Sequence, residues 1–312
     1  MSHTKKQPII CLMGPTASGK TELAIHLVSE FPFEIVSVDS AMVYRGMDIG
    51  TAKPNADILG KAPHRLINIR EPKDTYSAAQ FCQDAREEIK IIFKKNKIPL
   101  LVGGTMLYFR ALQQGLSYLP SGNQEIRKKI AERALQLGFP ALHQELVKID
   151  PLAALRIHPN DSQRISRALE VYELTGKSLS ELQEEPGDVL TEYVFYNIII
   201  APVDRGILHE RIAKRFKQML TDGLAEEVRR LSEKGDLTEE MPAMRSVGYR
   251  QVMEYLKGNI TFNEMEERGI AATRQLAKRQ LTWLRSWPNA AWFESDMPDL
   301  YQQVAGYIAQ RF

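Results

Sequence analysis

The chain has 312 residues, of which 44% are hydrophobic, and this is enough for one large core with a smaller satellite domain. Its 41 Lys and Arg residues nearly balance its 39 Asp and Glu residues, so a nucleic-acid surface has to come from local clusters. No apolar stretch approaches the length of a membrane span and the charged N-terminus has no signal-peptide pattern. Cys11 and Cys82 indicate neither a disulfide framework nor a zinc site. We therefore expect a cytoplasmic protein without membrane partners.

The first hundred residues alternate short apolar runs with amphipathic segments, which predicts a parallel sheet covered by helices. Such sheets bind ligands beyond the carboxyl ends of their strands. Polar or glycine-rich segments follow three of these ends, at residues 14–21, 39–44 and 103–105, so we expect them to meet in one pocket. The predicted strands cover residues 9–13, 34–38, 66–69 and 98–102, and the predicted helices cover residues 20–30 and 78–95.

The segment after the first predicted strand carries a glycine-rich loop of the form GxxxxGK(S/T). In such a loop the backbone N–H groups surround an anionic group, Lys20 adds positive charge and the Thr21 hydroxyl can hold Mg²⁺. The apolar run before it and the helical spacing after it place the anion at a helix N-terminus. The fold is therefore predicted to be α/β, a P-loop NTPase-like parallel sheet flanked by helices. The predicted anion-binding residues are Gly14, Pro15, Thr16, Ala17, Ser18, Gly19, Lys20 and Thr21.

The character of the sequence changes at about residue 120, where a long block of helical pattern begins. The apolar run over 194–201 is predicted to return the chain to the parallel sheet. We therefore predict a helical insertion domain over residues 120–190 within a core formed by residues 1–119 and 191–312. The helices of the block are predicted at 125–137, 140–148, 151–154 and 162–175, a segment at 184–187 closes it, and later helices are predicted at 205–220, 224–234 and 265–285.

The position of acidic residues bears on which phosphate chemistry the loop supports. Proteins that transfer or hydrolyse a terminal phosphate usually carry a Mg²⁺-binding Asp at the end of a second buried strand. Here the strand over 98–102 is followed by Gly103, Gly104 and Thr105, with no acidic residue. Asp39, after the strand over 34–38, can serve as a general base or join a metal shell. Asp39 followed by Ser40 is also good capping chemistry, and the residues alone leave both interpretations open.

Arg211 and Arg215 lie four residues apart on a predicted helix, so they share a face. Together with Lys20 they could clamp a diphosphate group. The alternative is a solvated basic face, because Lys214 and Lys217 lie nearby.

Basic stretches that include hydroxyl, amide or aromatic residues are typical of RNA contacts. One such stretch is Lys53 and Pro54, at the end of the loop over 48–54. A second feature is that no acidic residue lies between Arg268 and Trp287. Tyr249 and Trp283 are predicted stacking surfaces unless they pack in the core. Beside a phosphate loop, these stretches favour an RNA partner. The three other stretches are Gln163, Arg164, Ile165, Ser166 and Arg167; Arg245, Ser246, Val247, Gly248, Tyr249 and Arg250; and Lys278, Arg279, Gln280, Leu281, Thr282, Trp283, Leu284 and Arg285.

Together these segments resemble the bacterial members of the tRNA dimethylallyltransferase (tRNA isopentenyltransferase) family. The likeness rests on the glycine-rich loop, residues 37–45, 48–54 and 103–108, and the last two basic stretches, in order from about residue 8 to 290. It implies transfer of a dimethylallyl group from dimethylallyl diphosphate to N6 of the adenosine at tRNA position 37, 3′ to the anticodon. The phosphate loop would then hold a diphosphate leaving group with Mg²⁺, which agrees with the missing acid after Val102.

The resemblance also implies roles for individual residues. Asp39 would be the base and Thr105 would assist it, while Lys20, Thr21 and Arg215 would stabilise the departing diphosphate. The helical insertion would grip the anticodon stem-loop, from which the adenine must be flipped. The implied tRNA contacts are Asp39, Ser40, Ala41, Met42, Thr105, Arg127 and the stretches 163–167, 245–250 and 278–285.

Two alternatives belong to other functional classes. A small-molecule or nucleotide kinase of the same core fold would turn over ATP without tRNA. A non-catalytic RNA-binding module would bind tRNA and form no product. No protein partner is implied by the sequence.

Overall fold

The structure is a computed structural model that describes residues 6–184, 189–233, 235 and 237–311. Its strands are β1 (Gln7–Met13), β2 (Phe33–Val38), β3 (His64–Arg65), β4 (Ile98–Gly103), β5 (Tyr193–Ala201) and β6 (Ala290–Glu294). They form one parallel sheet in the order β3-β2-β4-β1-β5-β6. In β1, residues 9–13 are completely buried, as a strand covered on both faces requires. The predicted α/β fold, with the chain returning to the sheet at β5, is confirmed.

Helices cover the sheet and form the segment between β4 and β5. Several begin with side-chain caps; Ser77 and Gln80 form a capping box at one start, and Thr261 and Glu264 form another. No helix in the described part of the chain is long and apolar enough to cross a membrane. The helices are α1 (Lys20–Glu30), α2 (Ala56–Lys61), α3 (Ala78–Lys94), α4 (Met106–Gln114), α5 (Gln124–Leu137), α6 (Phe139–Ile149), α7 (Pro151–Arg156), α8 (Ser162–Thr175), α9 (Leu179–Glu184), α10 (Arg205–Thr221), α11 (Leu224–Ser232), α12 (Tyr249–Leu256), α13 (Phe262–Arg285) and α14 (Leu300–Ala309).

The described residues divide into two compact units. One holds the residues up to Ala111 and from Thr191 onward, and the other holds residues 112–190. The second unit contains the predicted insertion over 120–190 and has its own apolar core around Ile130, Leu146 and Ile165. The first unit contains the sheet.

One predicted strand is wrong. The apolar residues 66–69 form no strand; the sheet instead gains the two residues of β3 just before them. Leu66 and Asn68 have φ angles of 61° and 55°, in the left-handed region, so the chain bends where an extended strand was expected. The predicted helix end at Lys234 and the closing segment at 185–187 lie outside the described residues.

Gly103→Ala is expected to destabilise the fold by roughly 2–3 kcal/mol through overpacking. A Cβ at residue 103 would lie 2.0 Å from the carbonyl oxygen of Val38, a backbone atom of the adjacent strand β2. Gly60→Ala in α2 is the matched control, because a Cβ there meets nothing within 4 Å. Urea unfolding followed by circular dichroism measures both variants, and equal free energies of unfolding would contradict the prediction.

Candidate active site

A cavity of about 460 Å³ lies at the carboxyl ends of β1, β2 and β4. Its wall includes Lys20 and Thr21 after β1, Asp39 after β2, and Gly104 and Thr105 after β4. The three segments that were expected to meet therefore do so. Residues from α10, α13, the segment before α12, the loop at 50–54 and His64 of β3 also line the cavity.

The phosphate loop is built as an anion site. α1 begins at Lys20, directly after the loop, so the helix N-terminus lies at the cavity. The Lys20 ammonium donates to the Pro15 carbonyl at 3.0 Å. The Ser18 hydroxyl is buried and has no hydrogen-bond partner among the described residues. Ser18 is not among the residues that line the cavity, and Thr16, Ala17, Lys20 and Thr21 form the part of the cavity wall that the loop contributes.

Lys20, Arg215 and Asp39 interact electrostatically in this cavity. Burial, with the nearby Arg215 guanidinium adding to it, lowers the pKa of Lys20 to about 8, while Asp39 opposes the shift. Burial also lowers the pKa of Arg215, again opposed by Asp39. Two cations therefore face one carboxylate, and the excess positive charge would be relieved by an anionic ligand.

Asp39 closes a turn as well as lining the cavity. Its Oδ1 accepts hydrogen bonds from the N–H groups of Ala41 at 2.8 Å and Met42 at 3.1 Å. Within the described residues no hydrogen bond to Oδ2 is found. The two interpretations left open by the sequence are thus compatible, because one oxygen holds the turn and the other remains for a second partner.

Thr105 joins the loops that follow β2 and β4. Its Oγ1 accepts a hydrogen bond from Ser40 N–H at 3.1 Å, and its own N–H donates to the Val38 carbonyl at 3.2 Å. These contacts flank Asp39 on both sides along the chain. Thr105 therefore lies where it can hold the Asp39 turn in place, and it also lines the cavity.

Gln280 of α13 connects two cavity loops, a role that the sequence did not indicate. Its side-chain oxygen accepts from Thr16 N–H and its amide nitrogen donates to the Gly104 carbonyl, both at 2.9 Å. The stretch 278–285 was predicted to bind tRNA, yet this side chain is engaged inside the protein. It anchors the phosphate loop to the segment after β4.

Gln280→Leu is expected to weaken binding of the phosphorylated substrate by roughly tenfold, because two hydrogen bonds that hold the phosphate loop are lost. Gln275→Leu on the same helix is the matched control, since Gln275 is exposed. Isothermal titration with inorganic diphosphate and Mg²⁺ measures both affinities. Equal affinities would show that the loop keeps its geometry without Gln280.

A buried carboxylate, Glu227 of α11, holds the loop at residues 48–50. Its Oε2 accepts from the N–H groups of Asp48 (2.9 Å) and Ile49 (2.7 Å), and its Oε1 accepts from Gly50 N–H (3.1 Å) and the Tyr249 hydroxyl (2.6 Å). Sequence reasoning missed this residue. The available signal was an acidic residue beside Leu224, Val228 and Leu231 on the apolar face of a short helix.

Several predicted contacts have other positions in the first unit. Arg211 is not among the residues that line the cavity, and its guanidinium donates to Ser295 at 3.1 Å. Tyr249 and Leu284 have no exposed surface, so the Tyr249 ring offers no face on which a base could stack. Burial, and then Glu227, raise the pKa of Tyr249. The Lys53 ammonium donates to three oxygens within the protein.

The basic side chains within the predicted stretches 245–250 and 278–285 are exposed. Arg245, Ser246 and Val247 line the cavity. Trp283 is partly buried, with the Arg110 guanidinium 5.8 Å from the centre of its ring. The exposed predicted contacts in this unit are Ser40, Arg245, Arg250, Lys278, Arg279, Thr282 and Arg285.

In the second unit, buried Glu170 organises the basic residues. It accepts hydrogen bonds from Arg127 at 2.7 Å and from Arg167 at 2.6 Å. Ile165 is completely buried. Gln163 and Arg164 are exposed at the start of α8. The predicted stretch 163–167 therefore divides between core and surface.

A parallel sheet with a phosphate loop at its carboxyl edge, and a carboxylate in the same cavity, places the chain among the P-loop α/β proteins. A sequence model of the IPP transferase family matches residues 42–287. A tRNA dimethylallyltransferase of Coxiella burnetii (strain Dugway 5J108-111) is 58% identical over 300 residues, which cover 96% of each chain. The chain belongs to this family, and the predicted family resemblance is confirmed.

Solved structures agree with this assignment. The tRNA isopentenylpyrophosphate transferase of Bacillus halodurans is 35% identical with a TM-score of 0.72, covering 98% of this chain and 97% of its own. A eukaryotic dimethylallyltransferase acting on tRNA is 26% identical with a TM-score of 0.79, covering 97% of this chain and 77% of its own.

Proposed function

We propose that this enzyme transfers a dimethylallyl group from dimethylallyl diphosphate to N6 of the adenosine at tRNA position 37, 3′ to the anticodon. The observation that carries the proposal is the single cavity shared by Lys20, Arg215 and Asp39. It combines an anion site for the leaving group with a carboxylate that can accept a proton. The family relatives, which are named tRNA dimethylallyltransferases, support the same reaction.

The reaction combines the transfer of one alkyl group with the transfer of one proton. The N6 lone pair attacks C1 of the dimethylallyl group, and the C1–O bond breaks as the diphosphate leaves with its electron pair. Lys20, Arg215 and the backbone N–H groups of the phosphate loop stabilise the charge that develops on the leaving group. Asp39 takes the proton from N6, and the Ala41 and Met42 N–H groups hold its carboxylate in place.

Mg²⁺ is part of the proposal. Thr21 lines the cavity directly after Lys20 and supplies a hydroxyl oxygen, and Mg²⁺ takes most of its other ligands from water and substrate phosphates. The residues present therefore fit the ion. When bound, it would neutralise part of the diphosphate charge.

Each unit by itself carries exposed residues that we propose as tRNA contacts. In the first, the exposed basic residues of 245–250 and 278–285 would contact phosphates around the flipped adenosine. In the second, exposed Gln163 and Arg164 would contact the anticodon stem-loop. Such a substrate, together with two free buried cysteines, favours the cytoplasm as the place of the reaction.

The test incubates the protein with labelled dimethylallyl diphosphate, Mg²⁺ and an unmodified tRNA carrying adenosine at position 37. The same tRNA with guanosine there is the control. Label in adenosine of the first tRNA alone is the expected result. ATP turnover without tRNA would support a kinase instead, and tRNA binding without labelled product would support a non-catalytic RNA-binding module.

A further inference from the structure

The Glu227 carboxylate accepts hydrogen bonds from four donors and is only 3% exposed. An ionised carboxylate offers about four lone-pair sites, so it satisfies all four donors at once. A glutamine amide has one acceptor oxygen and one NH₂ group. The NH₂ group would face two of these donors and could not accept their hydrogen bonds. The four contacts therefore suit a carboxylate and do not suit an amide.

Two parts of the cavity wall are joined through Glu227. Its backbone partners lie in the loop at 48–50, which continues into Thr51 and Pro54 on the cavity wall. Its side-chain partner, Tyr249, directly follows the wall segment 245–248. The Gly50 backbone also rests on the Tyr249 ring, because a Cβ at residue 50 would come within 2.5 Å of Cε2.

The phosphate loop is held by a different anchor. Gln280 fixes Thr16 to Gly104, and neither residue is among the contacts of Glu227. The cavity thus has one side formed by the phosphate loop, where dimethylallyl diphosphate would bind, and Gln280 holds this side. Glu227 holds the second side. This second side contains Arg245 and Ser246, polar residues suited to a nucleotide rather than to a prenyl group.

We propose that Glu227 is a positioning residue for the tRNA acceptor, which holds the loop at 48–51 and the segment 245–249 in the arrangement that receives the adenosine. The proposal rests on the proposed function. The loss of Glu227 should therefore affect binding of tRNA and leave binding of dimethylallyl diphosphate unchanged, because the two sides of the cavity have independent anchors. Glu227 acts through these loops and not on the reacting atoms.

Glu227→Gln is the test, and Glu226→Gln is the matched control, because Glu226 is exposed and forms only a surface ion pair with Arg229 at 3.6 Å. The expected result for Glu227→Gln is a fall in kcat/KM for tRNA of at least about tenfold. The Kd for dimethylallyl diphosphate with Mg²⁺, measured by calorimetry without tRNA, is expected to stay within about twofold of the control. Unchanged kcat/KM, or an equal loss of both quantities, would overturn the proposal.

Tyr249→Phe keeps the test decisive if Glu227→Gln does not fold by circular dichroism. It removes one of the four donors and leaves the ring, so a smaller fall of about threefold in kcat/KM for tRNA is expected, with donor affinity unchanged. Wild-type kinetics in Tyr249→Phe would then overturn the proposal. Failure of the proposed function itself looks different, because wild type and Glu226→Gln would then also give no labelled tRNA.

Discussion

Asp39→Asn is expected to lower kcat by roughly 10²–10⁴-fold while leaving the fold intact. The amide keeps an oxygen that can accept from Ala41 and Met42, so the turn after β2 is retained. It has lost the basic carboxylate that takes the proton from N6. Single-turnover transfer of labelled dimethylallyl groups to tRNA measures the loss, and urea unfolding measures the stability.

Comparing Asp39→Ala with Asp39→Asn separates the role of Asp39 as a base from its role in the turn. Asp39→Ala is the variant that loses both roles. It removes the base and both hydrogen bonds of the turn, so the same loss of turnover should come with about 1–2 kcal/mol of lost stability. Binding of tRNA, measured by filter retention, should fall much less than turnover in either variant. If Asn restored turnover to the wild-type level, Asp39 would act through the turn alone.

The main features of the fold could be predicted from the sequence because the signals were local. The boundaries of α1 follow directly from the glycine-rich loop and the apolar spacing after it. The wrong strand at 66–69 shows the limit of such signals. Its apolar residues suggested a strand, but Leu66 has a positive φ, and Ile69 N–H bonds to the Val43 carbonyl of a loop. This hydrogen bond joins segments that are distant in the chain, so no local sequence pattern could have predicted it.

The candidate site shows the same division. Lys20 and Asp39 were predicted because each follows a recognisable strand, and both line the cavity. Gln280 was predicted only as a tRNA contact and Glu227 was not predicted at all, because their backbone partners lie more than a hundred residues away in the chain. A glutamine in a basic stretch and a glutamate in an amphipathic helix are usually surface residues, and only the three-dimensional contacts show that these two hold the cavity walls.

Lys20→Met is expected to lower kcat/KM for dimethylallyl diphosphate by about 10²–10³-fold at neutral pH, since a cation that stabilises the leaving group is lost. Lys214→Met is the matched control on α10, because Lys214 is exposed and does not line the cavity. Transfer rates at limiting donor concentration measure both variants. A loss of similar size in the two variants would contradict a specific role for Lys20.

The pH dependence gives Lys20 a second and independent signature. The pKa of Lys20 is lowered from 10.5 to about 8, so the free enzyme loses this charge as the pH rises through about 8. Because kcat/KM reports the free enzyme, it should fall above that pH in the wild type. Lys20→Arg, whose guanidinium stays charged, should move this limb of the profile to higher pH, and Lys20→Met should lack it.

Stability should change in the opposite direction over the same range. Between about pH 8 and 10.5 the unfolded chain binds the Lys20 proton more than the folded chain does, so deprotonation favours folding as the pH rises. The difference in unfolding free energy between wild type and Lys20→Met should therefore shift in favour of the wild type with increasing pH, while wild-type turnover declines. Because the two trends have opposite signs, unfolding cannot account for the loss of activity. A parallel decline of both would mean that the lost activity reflects a failing fold, and that Lys20 does not titrate at the leaving group.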